Sequence, residues 1–436
     1  MRVQIIALHS AYGLMTAAAA LDAGLLGDAD ERLLVTMNTA AVPETAPDIG
    51  QVPRLASLRE RFDRVEALNP LVDPRHPTQW QPDEQDLPLL ERLFRSAWGL
   101  GDAEIELFVQ SPQVAPARTL MALFSTARLG IIADGLMTYA PIRTRLPRLL
   151  TERVAQVVYP DVVPGVVPLV FNEVGAQPIP VPVAGFGAVL REVGQALPDA
   201  DLDALAASSP RTGLVVGQYL AALGLISPAE ETAMQRQMID RLADAGVQRI
   251  VFAPHPAAPP ALGGELAAHA AARDVEFAQY TGGQSAEYVA LTLAVTDVAA
   301  VFSTALPTVR ALLGIRTHAV GTETVLARLT PYENSNRMPA TIVDAQERGI
   351  GAEQLQALVD AVGFAMQPEI VAHLRGHAEQ TLDALPAIER DRYVPAVRRQ
   401  QIAEVRGGVG RLEELRLTLA GVRRRARRIW KVARGL

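Results

Sequence analysis

Residues 298–314, VAAVFSTALPTVRALLG, read as a short apolar strand (Val298 to Phe302), a hydroxyl pair (Ser303-Thr304) and a helix that ends near Gly314. Pro307 falls in the first helical turn, where its missing N–H costs nothing. Strand, tight turn and helix in this order are the repeating unit of a parallel α/β sheet. The turn also places hydroxyl donors at the positive end of a helix dipole, an arrangement ready for a phosphate. An ordinary helix N-cap is the plainer use of the same two residues.

The same alternation extends upstream. Gly213 to Gln218 reads as a strand, Pro228 to Asp244 as an amphipathic helix and Arg249 to Ala253 as a strand. Glu265 to Arg273 (helix), Val275 to Tyr280 (strand) and Ala286 to Val295 (helix) lead into the segment quoted above. A polar stretch, Pro198 to Thr212, precedes this half, and before it lies a second alternation. That one runs through a strand at Val3 to Leu8, a helix at Tyr12 to Gly24, a strand at Arg32 to Met37 and a helix at Val52 to Leu68. It continues with strands at Ile105 to Gln110 and Leu129 to Ala133 on either side of a helix at Pro116 to Phe124. Between them Asn69 to Pro88 is a long, proline-rich polar loop. The pattern predicts an α/β protein of two Rossmann-like domains, 1–200 and 205–400, facing a cleft, followed by a basic amphipathic helical tail over 405–436 with Leu412, Leu415 and Leu419 on one face.

Composition narrows the chemistry. The 436 residues are 49% hydrophobic and 20% charged and include no cysteine, which excludes disulfides, thiolate nucleophiles and Cys-ligated metal centres. The net charge of −7 divides unevenly: residues 421–436 hold six arginines and Lys431 without an acid, so the remainder carries −14. An acidic body argues against a nucleic-acid binder. No stretch reads as a membrane span, and His9, Ser10, Tyr12 and Gly13 break the apolar start that a signal peptide would need. The expected location is the cytoplasm. The basic tail, with Ile429, Trp430 and Val432 among its arginines, suits a peripheral contact with the anionic inner face of the membrane; a solvated tail or an RNA contact is the alternative.

Several residues stand where open α/β sheets do chemistry, at the carboxyl ends of strands. Gly217-Gln218 ends one strand, Pro254-His255-Pro256 another, and Asp134-Gly135 follows Leu129 to Ala133, with Thr138-Tyr139-Ala140-Pro141 close behind. Glu287 opens a helix after Gly282-Gly283 and Ser285. Each has a plain structural reading too: a loop histidine, an Asp-Gly turn, a first-turn acid. His76-Pro77 has no strand feeding it and is set aside. Asp28-Ala29-Asp30 and Asp199-Ala200-Asp201 have the D-x-D form, but in helix-end or linker contexts, so no metal is expected.

In combination the motifs resemble the bacterial polysialyltransferase family and related bacterial sialyltransferases. The resemblance rests on Asp-Gly with a downstream Tyr-x-Pro, then His-Pro, then an acid about thirty residues on, then a Ser/Thr pair. It implies the two-Rossmann GT-B glycosyltransferase fold and a CMP-sialic acid donor, with a glycan acceptor and neither metal nor nucleic acid. By the same resemblance Asp134 is the general base on the acceptor hydroxyl and His255 stabilises or protonates the departing phosphate. Ser303 and Thr304 then hold that phosphate, Glu287 accepts from the cytidine ribose, and Gly217, Gln218 and Pro256 complete the donor site. Where the family has an acidic pair before the glycine, this chain has Ala133-Asp134, leaving one carboxylate. Two other expectations remain open: a transferase or epimerase of the same fold using a UDP or GDP sugar, and an inactive glycan-binding scaffold.

Overall fold

The computed structural model describes residues 1–40, 47–133, 135–218, 220–222, 224–254 and 262–403. Two parallel sheets carry the chain. The first has seven strands, β1 (Arg2–Leu8), β2 (Glu31–Thr36), β3 (Arg64–Ala67), β4 (Glu104–Gln110), β5 (Arg128–Ile132), β6 (Val154–Pro160) and β7 (Gln177–Val181), in the order β3-β2-β1-β4-β5-β6-β7. The second has β8 (Thr212–Val216), β9 (Arg249–Ala253), β10 (Glu276–Gln279), β11 (Asp297–Ala300) and β12 (Arg316–Ala319), in the order β10-β9-β8-β11-β12. In each sheet the order reverses direction beside the first strand, at β1/β4 and at β8/β11. That reversal opens a crevice at the carboxyl ends of the strands.

Burial explains why the strands form. Along β1, Val3, Ile5 and Ala7 enter one apolar cluster while Ile6 and Leu8 enter another, so both faces of the sheet are covered. The third cluster is built on β8, β9 and β11 and on the carboxyl-terminal helices, and it takes in Tyr139, Tyr159, Val162 and Leu169 from the first half. The two halves thus share a core rather than only a linker.

The structure departs from the sequence reading at several elements. Val52 to Leu68 is not one helix: Pro53–Leu55 is a 3-10 turn, Ala56–Arg59 a single helical turn, and Arg64–Ala67 is β3, paired parallel with β2. As an edge strand β3 has one neighbour and leaves Val65 exposed, so it needs no apolar run to form. β7, QPIPV, also lies at an edge, where Pro178 and Pro180 can sit without depriving a neighbour of a ladder hydrogen bond. β6 and β12 complete the strands that the alternation passed over. The Asn69 to Pro88 segment holds short helical turns at Asn69–Val72, Pro77–Gln79 and Glu84–Asp86.

Between Leu313 and the helical basic tail the sequence reading placed no element, whereas the structure has a run of helices that crosses back to the first half. Arg337–Glu347 packs by residues 135–139. On Ala352–Met366, Gln356 accepts the Val167 N–H at 2.6 Å, and Gly363 leaves room for Leu169. The described end is locked by buried Asp344, which accepts from Arg392 at 2.8 and 3.0 Å and from the Tyr393 hydroxyl at 2.8 Å. The basic tail lies outside the described residues. Among those described, no helix is long and apolar enough to cross a membrane.

Candidate active site

The carboxyl ends of β8, β9, β10 and β11 open into a cavity of about 870 Å³. Five of the residues singled out from the sequence line it: Gly217, Gln218, Glu287, Ser303 and Thr304. Asp134, His255 and Pro256 lie outside the described residues. Their neighbours are described: Pro254 lines the cavity, and Gly135 approaches Thr304 from the first half of the chain.

Ser303 and Thr304 sit between β11 and the helix Ala305–Leu313. The Ser303 hydroxyl accepts the Ala305 N–H at 3.2 Å and its carbonyl accepts the Leu306 N–H at 3.1 Å, so these helix-end amides are already satisfied within the turn. The Thr304 hydroxyl accepts the Leu136 N–H at 3.5 Å across the cleft. Both oxygens are therefore oriented as acceptors, which leaves each hydroxyl proton available to donate to an anion at the positive end of the helix.

Gln218 acts on the same loop. Its Oε1 accepts the N–H groups of both Val301 and Phe302 at 2.8 Å, bridging β8 to the end of β11. Its carbonyl is thus committed to shaping the wall, with the amide nitrogen as the remaining polar group. Glu287 lies in the first turn of Ala286–Thr292, capped by Ser285, whose hydroxyl accepts the Tyr288 N–H. Burial pushes the Glu287 carboxyl above the ordinary range, opposed by its own amide and by the Ser285 hydroxyl.

The cavity also takes in residues that sequence reasoning missed. Tyr280, Thr281 and Gln284 flank the Gly282-Gly283 turn; Leu136 and Met137 come from the first half, and Asn336 and Pro339 from the carboxyl-terminal helices. The Gly-Gly pair directly after a strand was the available signal for the first group. Nothing in the alternation pointed to the last, which reaches the site only through tertiary packing. Among the described residues lining the cavity, Glu287 is the one carboxylate and there is no arginine or lysine. Of the D-x-D segments, Asp199 has both oxygens engaged, one by the Leu202 N–H and one by the Tyr280 hydroxyl, and Asp30 accepts the Arg2 N–H.

The fold is similar to that of a glycosyltransferase from Rickettsia africae ESF-5, at 9% identity and a TM-score of 0.38 over 88% of this chain and 99% of that one. It is also similar to the E. coli heptosyltransferase WaaC with ADP-2-deoxy-2-fluoro heptose, at 18% identity and a TM-score of 0.33 over 73% and 87% of the two chains. A UDP-N-acetylglucosamine 2-epimerase from Rickettsia bellii gives 8% identity and a TM-score of 0.41 over 86% and 98%. No curated protein sequence matches. The family model for alpha-2,8-polysialyltransferase (POLYST) matches residues 4–322, which contain both sheets but for the first two residues of β1, and every cavity residue except Asn336 and Pro339. With its two parallel Rossmann-like sheets and a family match over most of its length, the chain belongs to the alpha-2,8-polysialyltransferase family of glycosyltransferases.

Proposed function

We propose that the protein is an inverting glycosyltransferase that moves sialic acid, or a related nonulosonic acid, from a CMP-sugar to a glycan hydroxyl without a metal. The observation that carries the choice of donor is the phosphate end of the cavity. Two hydroxyls and a helix N-terminus meet there, and no arginine or lysine stands among the described lining residues. This suits a nucleoside monophosphate, whose departure develops less charge than that of a diphosphate.

In this reading Ser303 and Thr304 donate to the phosphate oxygens, and Glu287 accepts from a ribose hydroxyl. Asp134 takes the proton of the acceptor hydroxyl as its oxygen bonds to the anomeric carbon, and the bond from that carbon to the phosphate oxygen breaks with its electron pair leaving on CMP. His255 protonates or stabilises the departing phosphate. Attack opposite the leaving group inverts the anomeric centre. The acceptor belongs to a capsule or other surface glycan, and the basic tail holds the enzyme at the inner leaflet where such glycans are extended.

Calorimetric titration with CMP, UMP, UDP and GDP tests the donor assignment. CMP is expected to bind most tightly; preference for a diphosphate overturns it. Slow release of CMP from CMP-sialic acid without acceptor separates a transferase from an inactive scaffold.

A further inference from the structure

Asp199 lies in the segment joining the two sheets, outside the cavity, yet its carboxylate reaches the cavity wall. One oxygen accepts the Leu202 N–H at 3.1 Å and caps the helix Ala200–Ala206. The other accepts the Tyr280 hydroxyl at 2.6 Å. Tyr280 is 2% exposed, and the turn after β10 is folded around its oxygen: the Gln284 N–H donates to it at 3.2 Å, and Gly282 packs so closely that a side chain there would collide with it. Gln284 then reaches back with its side-chain amide to the Gly194 carbonyl at 2.9 Å, at the end of the first domain's helix Val183–Gln195.

Arg54 fixes the other side of this joint. Its guanidinium donates to the carbonyls of Leu197 at 3.0 Å and Pro198 at 3.4 Å and lies 3.6 Å from Asp199. The chain Arg54, Asp199, Tyr280, Gln284 therefore runs from the first domain through the joining segment to the Thr281–Gln284 turn. That turn lines the cavity beside Glu287. Neutral tyrosine is the required donor, and burial together with the Asp199 hydrogen bond holds its hydroxyl well above the ordinary range.

We propose that Asp199 is a positioning residue that couples the setting of the interdomain segment to the grip of the Gly282-Gly283 turn on the nucleotide. The proposal rests on reading the cavity as a nucleotide site. Coupling is reciprocal: if the segment sets the turn, a nucleotide held by the turn must steady the segment. Residues 196–203 do not line the cavity, so their protection by nucleotide is not a contact effect.

Hydrogen exchange with and without CMP, run beside CMP calorimetry on the full chain, tests this. In the wild type, CMP is expected to slow exchange at 281–287 and also at 196–203. Tyr280→Phe keeps the ring buried but removes the hydroxyl. It is expected to speed exchange at 281–287 without ligand about tenfold, to weaken CMP binding about tenfold, and to abolish CMP protection at 196–203. Asp199→Asn retains an oxygen for the Leu202 N–H and should keep the thermal midpoint while showing the same loss of remote protection. Unchanged exchange and unchanged CMP affinity in both variants overturn the proposal. A wild type that binds no CMP overturns the nucleotide reading instead, and exchange at 281–287 in the ligand-free variants still decides whether Asp199 sets the turn.

Discussion

The Leu136 amide and the Thr304 hydroxyl stand 3.5 Å apart across the cleft, joining residues 168 positions apart in the chain. The candidate base side and the candidate phosphate side of the site thus meet at one polar contact. Gly135 makes the approach possible, since at φ +63° a β-carbon would lie 2.9 Å from the Thr304 hydroxyl. Gly135→Ala is expected to cost about 1–2 kcal/mol in backbone strain. It should lower donor hydrolysis as well, because the added methyl pushes Thr304 from its place. Denaturant unfolding and CMP release measure the two effects, and unchanged values in both would refute the close approach.

Asp134→Asn should reduce turnover by roughly two to four orders of magnitude while CMP still binds, as expected when a general base is removed. The double variant Ser303→Ala with Thr304→Val should behave oppositely, weakening CMP binding first. Calorimetry and initial rates on the same preparations separate the two patterns.

Glu287 gives a pH signature. Its carboxyl titrates above the ordinary range because burial disfavours the charge, so the folded protein binds this proton more tightly than the unfolded chain. Stability therefore falls as pH rises from the ordinary glutamate range through the raised value. Glu287→Gln should raise the thermal midpoint at pH 7, and the gain should vanish in acid. The same change should weaken CMP binding by only about 1 kcal/mol, since the amide oxygen still accepts from the ribose but without charge. A variant with no gain at neutral pH would contradict the burial.

Asp344 is a stability prediction apart from the site. Removing it in Asp344→Ala leaves Arg392 with only its ion pair to Glu323 and the buried Tyr393 hydroxyl without an acceptor. A loss of about 1–3 kcal/mol, the scale of an unsatisfied buried donor, is expected in urea unfolding.

Truncation after Gly410 should leave donor hydrolysis intact and shift the protein from the membrane to the soluble fraction, and high salt should release the full-length chain. Unchanged fractionation would show that the tail is not the tether.

Legibility in the sequence followed burial and pairing. β9 and the helix Pro228–Asp244 were read to the residue because an apolar run and an amphipathic period announce themselves locally; the structure adds a capping box between Ser227 and Glu230 at the helix start. β3 and β7 were not, since an edge strand needs only one neighbour and tolerates charge or proline. Gly217, Gln218, Glu287, Ser303 and Thr304 line one cavity, as their places at strand ends and at a helix start in a parallel sheet led one to expect. Tyr280 and Gln284 were missed because their importance lies in partners, Asp199 and Gly194, that are 81 and 90 residues away. The committed carbonyl of Gln218 was likewise invisible, being a tertiary hydrogen bond.

The helices that return to the first domain bear on how the protein is made. Val167 meets Gln356 across 189 residues. As the ribosome delivers the amino-terminal sheet, the apolar surface around Leu169 must wait uncovered until most of the remaining chain has emerged. Such late closure favours slow maturation and dependence on chaperones during synthesis. A message broken before codon 350 would therefore yield an aggregation-prone fragment, not a free-standing folded half.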